Sequence, residues 1–203
     1  MKVRPILFSS QMVRALLNGR KTQTRRILKG STEFKGPYNP AYIEAHKHSK
    51  GWAEICPYGK LGDLLWVRET WAKNLGSNGG AVYYADYESA SFHRYELPSG
   101  KLLDGCDRWK PSIHMPRRIS RLTLEITETR MQRLQDISRE DALAEGVTGG
   151  EGPGYDSARY SYQHLWLGIN GPGSWDANPW VWVLTFRVHK QNVDNFIKSR
   201  EAA

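Results

Sequence analysis

The sequence predicts an α+β fold, a small mixed barrel with short helices at its flanks and two long loop insertions. Three observations lead there. Residues 118–130 alternate Leu122, Leu124 and Ile126 with Arg121, Thr123, Glu125 and Thr127, the period of a half-buried antiparallel strand. Segments 64–71 and 180–188 are apolar on both faces, as strands covered on two sides are. Between the strands lie short stretches of helical spacing that begin at a serine and end at a glycine. At 203 residues the chain is long enough to bury a sizeable core in one domain, expected over 1–190, with a polar tail at 191–203.

Taken in order, a strand over 3–8 opens the chain. A helix follows, which Ser9 or Ser10 can cap, with Val13, Leu16 and Leu17 as its apolar stripe and Gly19 as its left-handed exit. The run Gly19-Arg20-Lys21-Thr22-Gln23-Thr24-Arg25-Arg26 then places four cations where the helix stops. Carbonyls at a helix end favour cations by about 0.3–1 kcal/mol each, which accounts for one or two charges and not for four. The run is therefore a candidate anion or nucleic-acid site, against the plainer reading of a solvated basic turn.

Residues 28–60 are polar, with Gly36-Pro37-Tyr38-Asn39-Pro40 as turn chemistry, and form the first insertion. In the strand that follows, Leu65 and Val67 share a face with Glu69, and Leu64 and Trp66 share the other with Arg68. Residues 72–108 are the second insertion, in which Val82, Tyr83 and Tyr84 suggest a hairpin. After the strand at 118–130, Ser138-Arg139-Glu140-Asp141 has the form of a capping box for a short helix that Gly146 ends, leaving Glu145 at its exit. The glycine-rich stretch 149–154 lacks the Gly-Lys-Ser/Thr ending of a phosphate-binding loop and reads as a lid or spacer. Tyr162, Leu165, Trp166 and Ile169 fall at helical spacing, and the strand 180–188 closes the fold. The tail is expected to fray and to be dispensable.

A net charge of +8 favours a polyanionic partner, RNA or DNA before a membrane surface. The chain has no apolar run of about 18 residues and no long apolar stretch near its start, so a cytoplasmic protein is expected. Cys56 and Cys106 stand apart, without zinc spacing, and read as reduced thiols; His46 and His48 read as loop residues. No metal and no cofactor is expected. Of the tryptophans, Trp66, Trp166, Trp180 and Trp182 follow strand or helix periodicity and read as core. Trp52, Trp71, Trp109 and Trp175 lie near turns beside charged residues, where a ring can stack on an unpaired base.

The basic run after the glycine-ended helix resembles the signature of the ASCH superfamily, a group of small PUA-like β-barrels linked to RNA. Gly62-Asp63-Leu64-Leu65-Trp66-Val67-Arg68-Glu69-Thr70-Trp71 is similar to that family's Gly-Asp turn and strand, and residues 134–147 resemble its second helix with a closing Glu-Gly. Trp109-Lys110-Pro111-Ser112-Ile113-His114-Met115-Pro116 resembles a segment of its phage and prophage members. The resemblance implies a PUA-like/ASCH barrel with insertions near 28–60 and 72–108. It also implies an RNA, nucleoside or nucleotide partner. The branch of N4-acetylcytidine amidohydrolases uses a lysine, a threonine and a glutamate, which carry over to Lys21, Thr24 and Glu145.

An amide needs a nucleophile, a base and an acid, and Thr24, Lys21 and Glu145 fill those roles in that order. A lysine serves as base only if its pKa falls from about 10.4 toward 7, equivalent to about 4–5 kcal/mol. Burial and the neighbouring Arg20, Arg25 and Arg26 push that way, and an ionised Glu145 pushes back. In a regular strand Lys21 and Thr24 have opposite parity, so they converge only if the chain turns after Gly19. Arg26 is expected to hold a phosphate, a carbonyl oxygen or a partner carboxylate, with Glu69 as that carboxylate in either a salt bridge or a ligand site. Arg20, Arg25, Arg68, Trp71 and Trp109 complete the candidate binding residues. A noncatalytic nucleic-acid-binding module and a ribonuclease using the same basic cleft are the alternatives.

Overall fold

A computed structural model describes residues 1–28, 43, 52–74, 80–87, 108–149 and 157–202. In chain order they form β1 (Val3–Leu7), α1 (Ser10–Leu17), β2 (Gln23–Ile27), α2 (Trp52–Ile55), β3 (Leu64–Arg68), β4 (Trp71–Lys73), β5 (Ala81–Tyr83), α3 (Tyr84–Tyr87), β6 (Thr123–Arg133), α4 (Arg139–Ala144), α5 (Ser157–Asn170), β7 (Trp180–His189) and α6 (Val193–Glu201). The protein is α+β. Five strands hydrogen-bond in the order β1-β3-β6-β7-β2, and β4 pairs with β5 separately. Among the described residues no pairing closes the five strands into a barrel. Most of the two expected insertions, with His46, His48, Cys106, the 149–154 loop beyond Gly149 and the Trp52 side chain, lies outside the described residues.

Contacts gather the chain into two compact units. The first comprises Met1–Lys2, Asn18–Asp63 and Glu125–Arg187. Its β2 and β7 are antiparallel, with Arg25 opposite Val183 and Arg26 opposite Trp182. One side of this ladder carries Ile27, Val181 and Val183, which pack on Leu134, Ile137, Ala142, Ala158, Tyr162 and Trp166. Each fully buried aliphatic side chain there contributes about 1.5–3 kcal/mol. Tyr162 and Trp166 fall on the expected stripe of α5, whereas Ile169, one turn on, is exposed. Trp175 also packs against this cluster, edge-on to Tyr162, so its ring is spent on core rather than on a base.

α4, of six residues, is too short to persist alone. Ser138 caps it by accepting from the Asp141 amide at 3.1 Å. The Asp141 carboxylate does not complete the box but accepts from two arginines instead. At the other end Thr22 N donates to Ala144 O at 2.8 Å, and Lys21 and Glu145 form a backbone bridge. In the turn before β3, Gly59 has φ +132°, and a Cβ there would lie 2.9 Å from Ile126 Cδ1. Only glycine fits both the backbone and the space.

The second unit comprises Val3–Leu17, Leu64–Leu124 and Val188–Ala203. Here β1 and β3 run parallel, with Val3 opposite Leu64 and Leu7 opposite Arg68. α1 buries Val13, Ala15 and Leu16, and Gly19 beyond it has φ +72°, as its role as a helix exit requires. The strand expected over 118–130 starts later, at Thr123, because Pro116 leads into a 3-10 turn at Arg117–Ile119. The segment expected as one strand over 64–71 breaks after Arg68, and Trp71–Lys73 pairs instead with Ala81–Tyr83, so the hairpin anticipated around Val82 exists.

The tail is a correction. Instead of fraying, residues 193–201 form α6, whose Val193 and Phe196 are buried against Leu64 and Trp66. Asn192 caps α6 by accepting from the Asp194 amide, and its Nδ2 donates to the carbonyls of Arg117 and Ser120 at 2.8 Å each. With only Val193, Phe196 and Ile197 apolar among polar neighbours, the helical stripe is narrow and has a partner only once β3 is folded.

Candidate functional site

The first unit brings Lys21, Arg25 and Glu145 together. Gly19 turns the chain out of α1, and the Lys21 backbone then bridges to Glu145 at the exit of α4. That pairing buries both side chains, to 0% and 2% exposure. The Lys21 ammonium donates to Glu145 Oε2 at 2.7 Å and to the Glu145 carbonyl at 2.8 Å. The other carboxylate oxygen, Oε1, accepts from Arg25 Nη1 at 3.1 Å. Glu145 thus faces a cation on each oxygen.

Arg25 is the surprise of the site. The basic run offered it as a ligand-binding residue, yet its side chain is fully buried and committed to carboxylates. Its Nη1 also donates to Gln23 Oε1 at 2.6 Å, its Nη2 donates to Asp141 Oδ2 at 2.5 Å, and its guanidinium lies 5.9 Å from the Tyr162 ring centre. The signal for this lay in parity, since Gln23 and Arg25 share a side of β2 and the paired residues Thr185 and Val183 face the same way. Asp141, Gln23 and Tyr162 are the members of the site that sequence reasoning missed.

Thr24 and Arg26 alternate to the other side of β2, opposite Leu184 and Trp182. Thr24 is buried and Arg26 half-buried. The Lys21 ammonium makes its bonds to Glu145 from the segment between α1 and β2, ahead of the strand in which Thr24 alternates. Arg20 is exposed and donates to the Gly146 carbonyl at 3.1 Å.

Burial decides the charge balance. It pushes Lys21 below the ordinary lysine value, outweighing the attraction of Glu145, and Arg26 and Arg25 push the same way. Arg26 is itself lowered by burial, against the pull of Tyr58, Glu145 and Tyr162. The Tyr162 phenol is held well above its usual range by burial first and by Glu145 second, so it is a neutral donor at any physiological pH. A lysine with a depressed pKa beside a carboxylate that can receive its proton is a unit for moving protons.

The remaining expected binding residues lie in the second unit. Glu69 was to pair with Arg26; its partner is Arg121, which donates Nε to Oε1 and Nη2 to Oε2 at 2.9 Å each. Arg121 lies just ahead of β6 in the same unit as Glu69, and its fork matches the carboxylate. Arg121 Nη1 also binds Asp86 at 2.8 Å, and its guanidinium covers the Tyr83 ring at 4.1 Å. Burial nonetheless pushes the Glu69 carboxyl up, while the same bonds push Arg121 up. Arg68 lies over Trp66 at 5.4 Å. Trp71 bridges to Lys110, whose ammonium sits 5.0 Å from its ring centre, and half-buried Trp109 is edge-on to Tyr84 at 5.2 Å.

Among the described residues no group of three or more histidine, cysteine, aspartate or glutamate side chains is placed to hold a metal ion, and no helix is long and apolar enough to cross a membrane. No protein-family model, curated protein or solved structure matches the chain.

Proposed function

We propose that the chain is an ASCH-type hydrolase with a PUA-like barrel, acting in the cytoplasm on an RNA-derived modified nucleoside such as N4-acetylcytidine. The observation that carries this reading is the Lys21–Glu145 pair: an amine with no solvent exposure, pushed toward its neutral form, bonded to a carboxylate. Neutral Lys21 accepts the proton of the attacking hydroxyl as its oxygen bonds to the acyl carbon. Glu145 passes that proton on to the exocyclic nitrogen as the carbon–nitrogen bond breaks, releasing cytidine. With Thr24 as the nucleophile, a water molecule then frees the acyl group as acetate. Arg26 holds a polar oxygen of the substrate.

In the noncatalytic alternative the basic run contacts phosphates, and there the exposed Arg20 is better placed than Lys21, whose ammonium is buried against Glu145. Chromatography of N4-acetylcytidine incubated with the purified chain tests the proposal, with Lys21→Met and Thr24→Ala beside it and circular dichroism to verify folding. Conversion to cytidine by wild type, lost in both variants, is the expected result. Loss in Lys21→Met alone assigns the nucleophile to water, and no conversion by folded wild type overturns the reading.

A further inference from the structure

Six side chains of the first unit close a ring of hydrogen bonds. Arg25 Nη1 donates to Gln23 Oε1 at 2.6 Å, Gln23 Nε2 to Thr185 Oγ1 at 3.3 Å, and Thr185 Oγ1 to Glu128 Oε2 at 3.3 Å. Arg130 then joins the two carboxylates, Nη1 to Glu128 Oε2 at 3.2 Å and Nη2 to Asp141 Oδ2 at 2.8 Å. Arg25 Nη2 closes the circuit on that same Asp141 oxygen at 2.5 Å. The ring joins β2, β7, β6 and α4, and its one projection inward is the Arg25–Glu145 bond.

We propose that Asp141 is a positioning residue for the Lys21–Glu145 pair, fixing Arg25 so that Glu145 keeps one oxygen on the guanidinium and turns the other to the amine. The inference rests on the hydrolytic reading for its use and on geometry for its content. Arg25 is fully buried, and its Nε has no hydrogen-bond partner, so its orientation depends on the two terminal nitrogens. One of these is divided between Gln23 and Glu145, and the other is held by Asp141. Asp141 also forgoes the reciprocal half of the α4 capping box, donating nothing to local helix geometry beyond its charge near the first turn.

Lys21 is acted on directly by Glu145 at the exit of α4 and by Arg26 and Arg25 on β2; Asp141 on α4 and Arg130 and Glu128 on β6 are linked to it through Arg25, and the neutral Tyr162 on α5 and Tyr58 act on Arg26. Replacing Asp141 by asparagine removes the charge that offsets Arg25 and Arg130. The potential at Lys21 becomes more positive, and its proton leaves at lower pH.

The experiment is an NMR titration of the Lys21 side-chain nitrogen in the full chain labelled with 15N-lysine, comparing wild type, Asp141→Asn and Glu140→Gln. Glu140 neighbours Asp141 on α4 but is exposed, so it controls for simple loss of one surface charge. Asp141→Asn is expected to lower the Lys21 midpoint by on the order of half a unit, Glu140→Gln by much less, and Asp141→Glu to restore it. Should Asp141→Asn not fold, Arg130→Gln is read instead, with a rise expected because a cation has been removed. Equal shifts in Asp141→Asn and Glu140→Gln, or no shift in either folded ring variant, overturn the inference. Where N4-acetylcytidine is turned over, the acid limb of kcat/KM moves with the midpoint. A shifted midpoint in a chain without turnover sinks the hydrolytic reading and leaves the positioning role standing.

Discussion

Lys21 loses its hydration entirely on folding, and the carboxylate and carbonyl of Glu145 are among the groups that replace it. Breaking such a buried pair from one side strands a charge, at a cost of about 3–5 kcal/mol, whereas replacing both partners removes the desolvation penalty with the attraction. Lys21→Met is therefore expected to lower the urea midpoint sharply, and Lys21→Met/Glu145→Gln to recover part of the loss. The pH dependence has a definite sign. Because the folded-state pKa of Lys21 lies below its ordinary value, the unfolded chain binds the extra proton between the two, so this residue's contribution to stability rises with pH across that window. The stability of wild type relative to Lys21→Met should grow as the pH rises toward the ordinary lysine value of about 10.4; a difference that falls or stays flat would mean that Lys21 is not depressed. Which residues surround Lys21 was only half visible beforehand. Arg25 and Glu145 were named, but for a ligand and for acid catalysis, and neither composition nor spacing indicates that Arg25 turns to Asp141.

At the scale of elements, periodicity was a good guide wherever an element buries one broad face. The alternation of Leu122, Leu124 and Ile126 survives as buried residues of the strand region, and the α5 stripe is buried through Tyr162 and Trp166. It misled where a short element relies on a partner remote in sequence. α6 is the clearest case: Val193 and Phe196 are its buried residues, and Leu64 and Trp66, which cover them, stand well over a hundred positions earlier. Phe196→Ala is expected to cost about 3–5 kcal/mol as a large-to-small core change, and truncation after Lys190 more than that. Equilibrium urea unfolding measures both; a truncated chain with unchanged stability would restore the view of a dispensable tail. Ends were blurred for a local reason, as at Pro116, where a 3-10 turn replaces the first residues expected of β6.

For the molecule as a whole, the charge of +8 is unevenly committed. Among the described residues of the second unit, Glu69, Asp86 and Asp194 are tied to Arg121 and Arg117, and Arg118, Lys190 and Lys198 are exposed cations. Affinity for single-stranded RNA is expected to fall as salt rises, with a log–log slope of about −0.7 for each phosphate contacted; fluorescence anisotropy at several salt concentrations measures it, and a flat response would count against an RNA partner. The sequence alone determined the α+β class, the strand at the centre of the pattern, the glycine exit of α1, the cap of α4, and Lys21 and Glu145, grouped there with Thr24, as residues to watch. These are local: they follow from period, from backbone conformation and from which side chains carry charge. Tertiary structure alone decided that Arg121 and not Arg26 holds Glu69, that Asp141 and Gln23 hold Arg25, and that Lys21 is buried enough for desolvation to outweigh its carboxylate. Those outcomes depend on distances between segments far apart in the chain and on how much water is excluded between them, and a linear pattern carries neither.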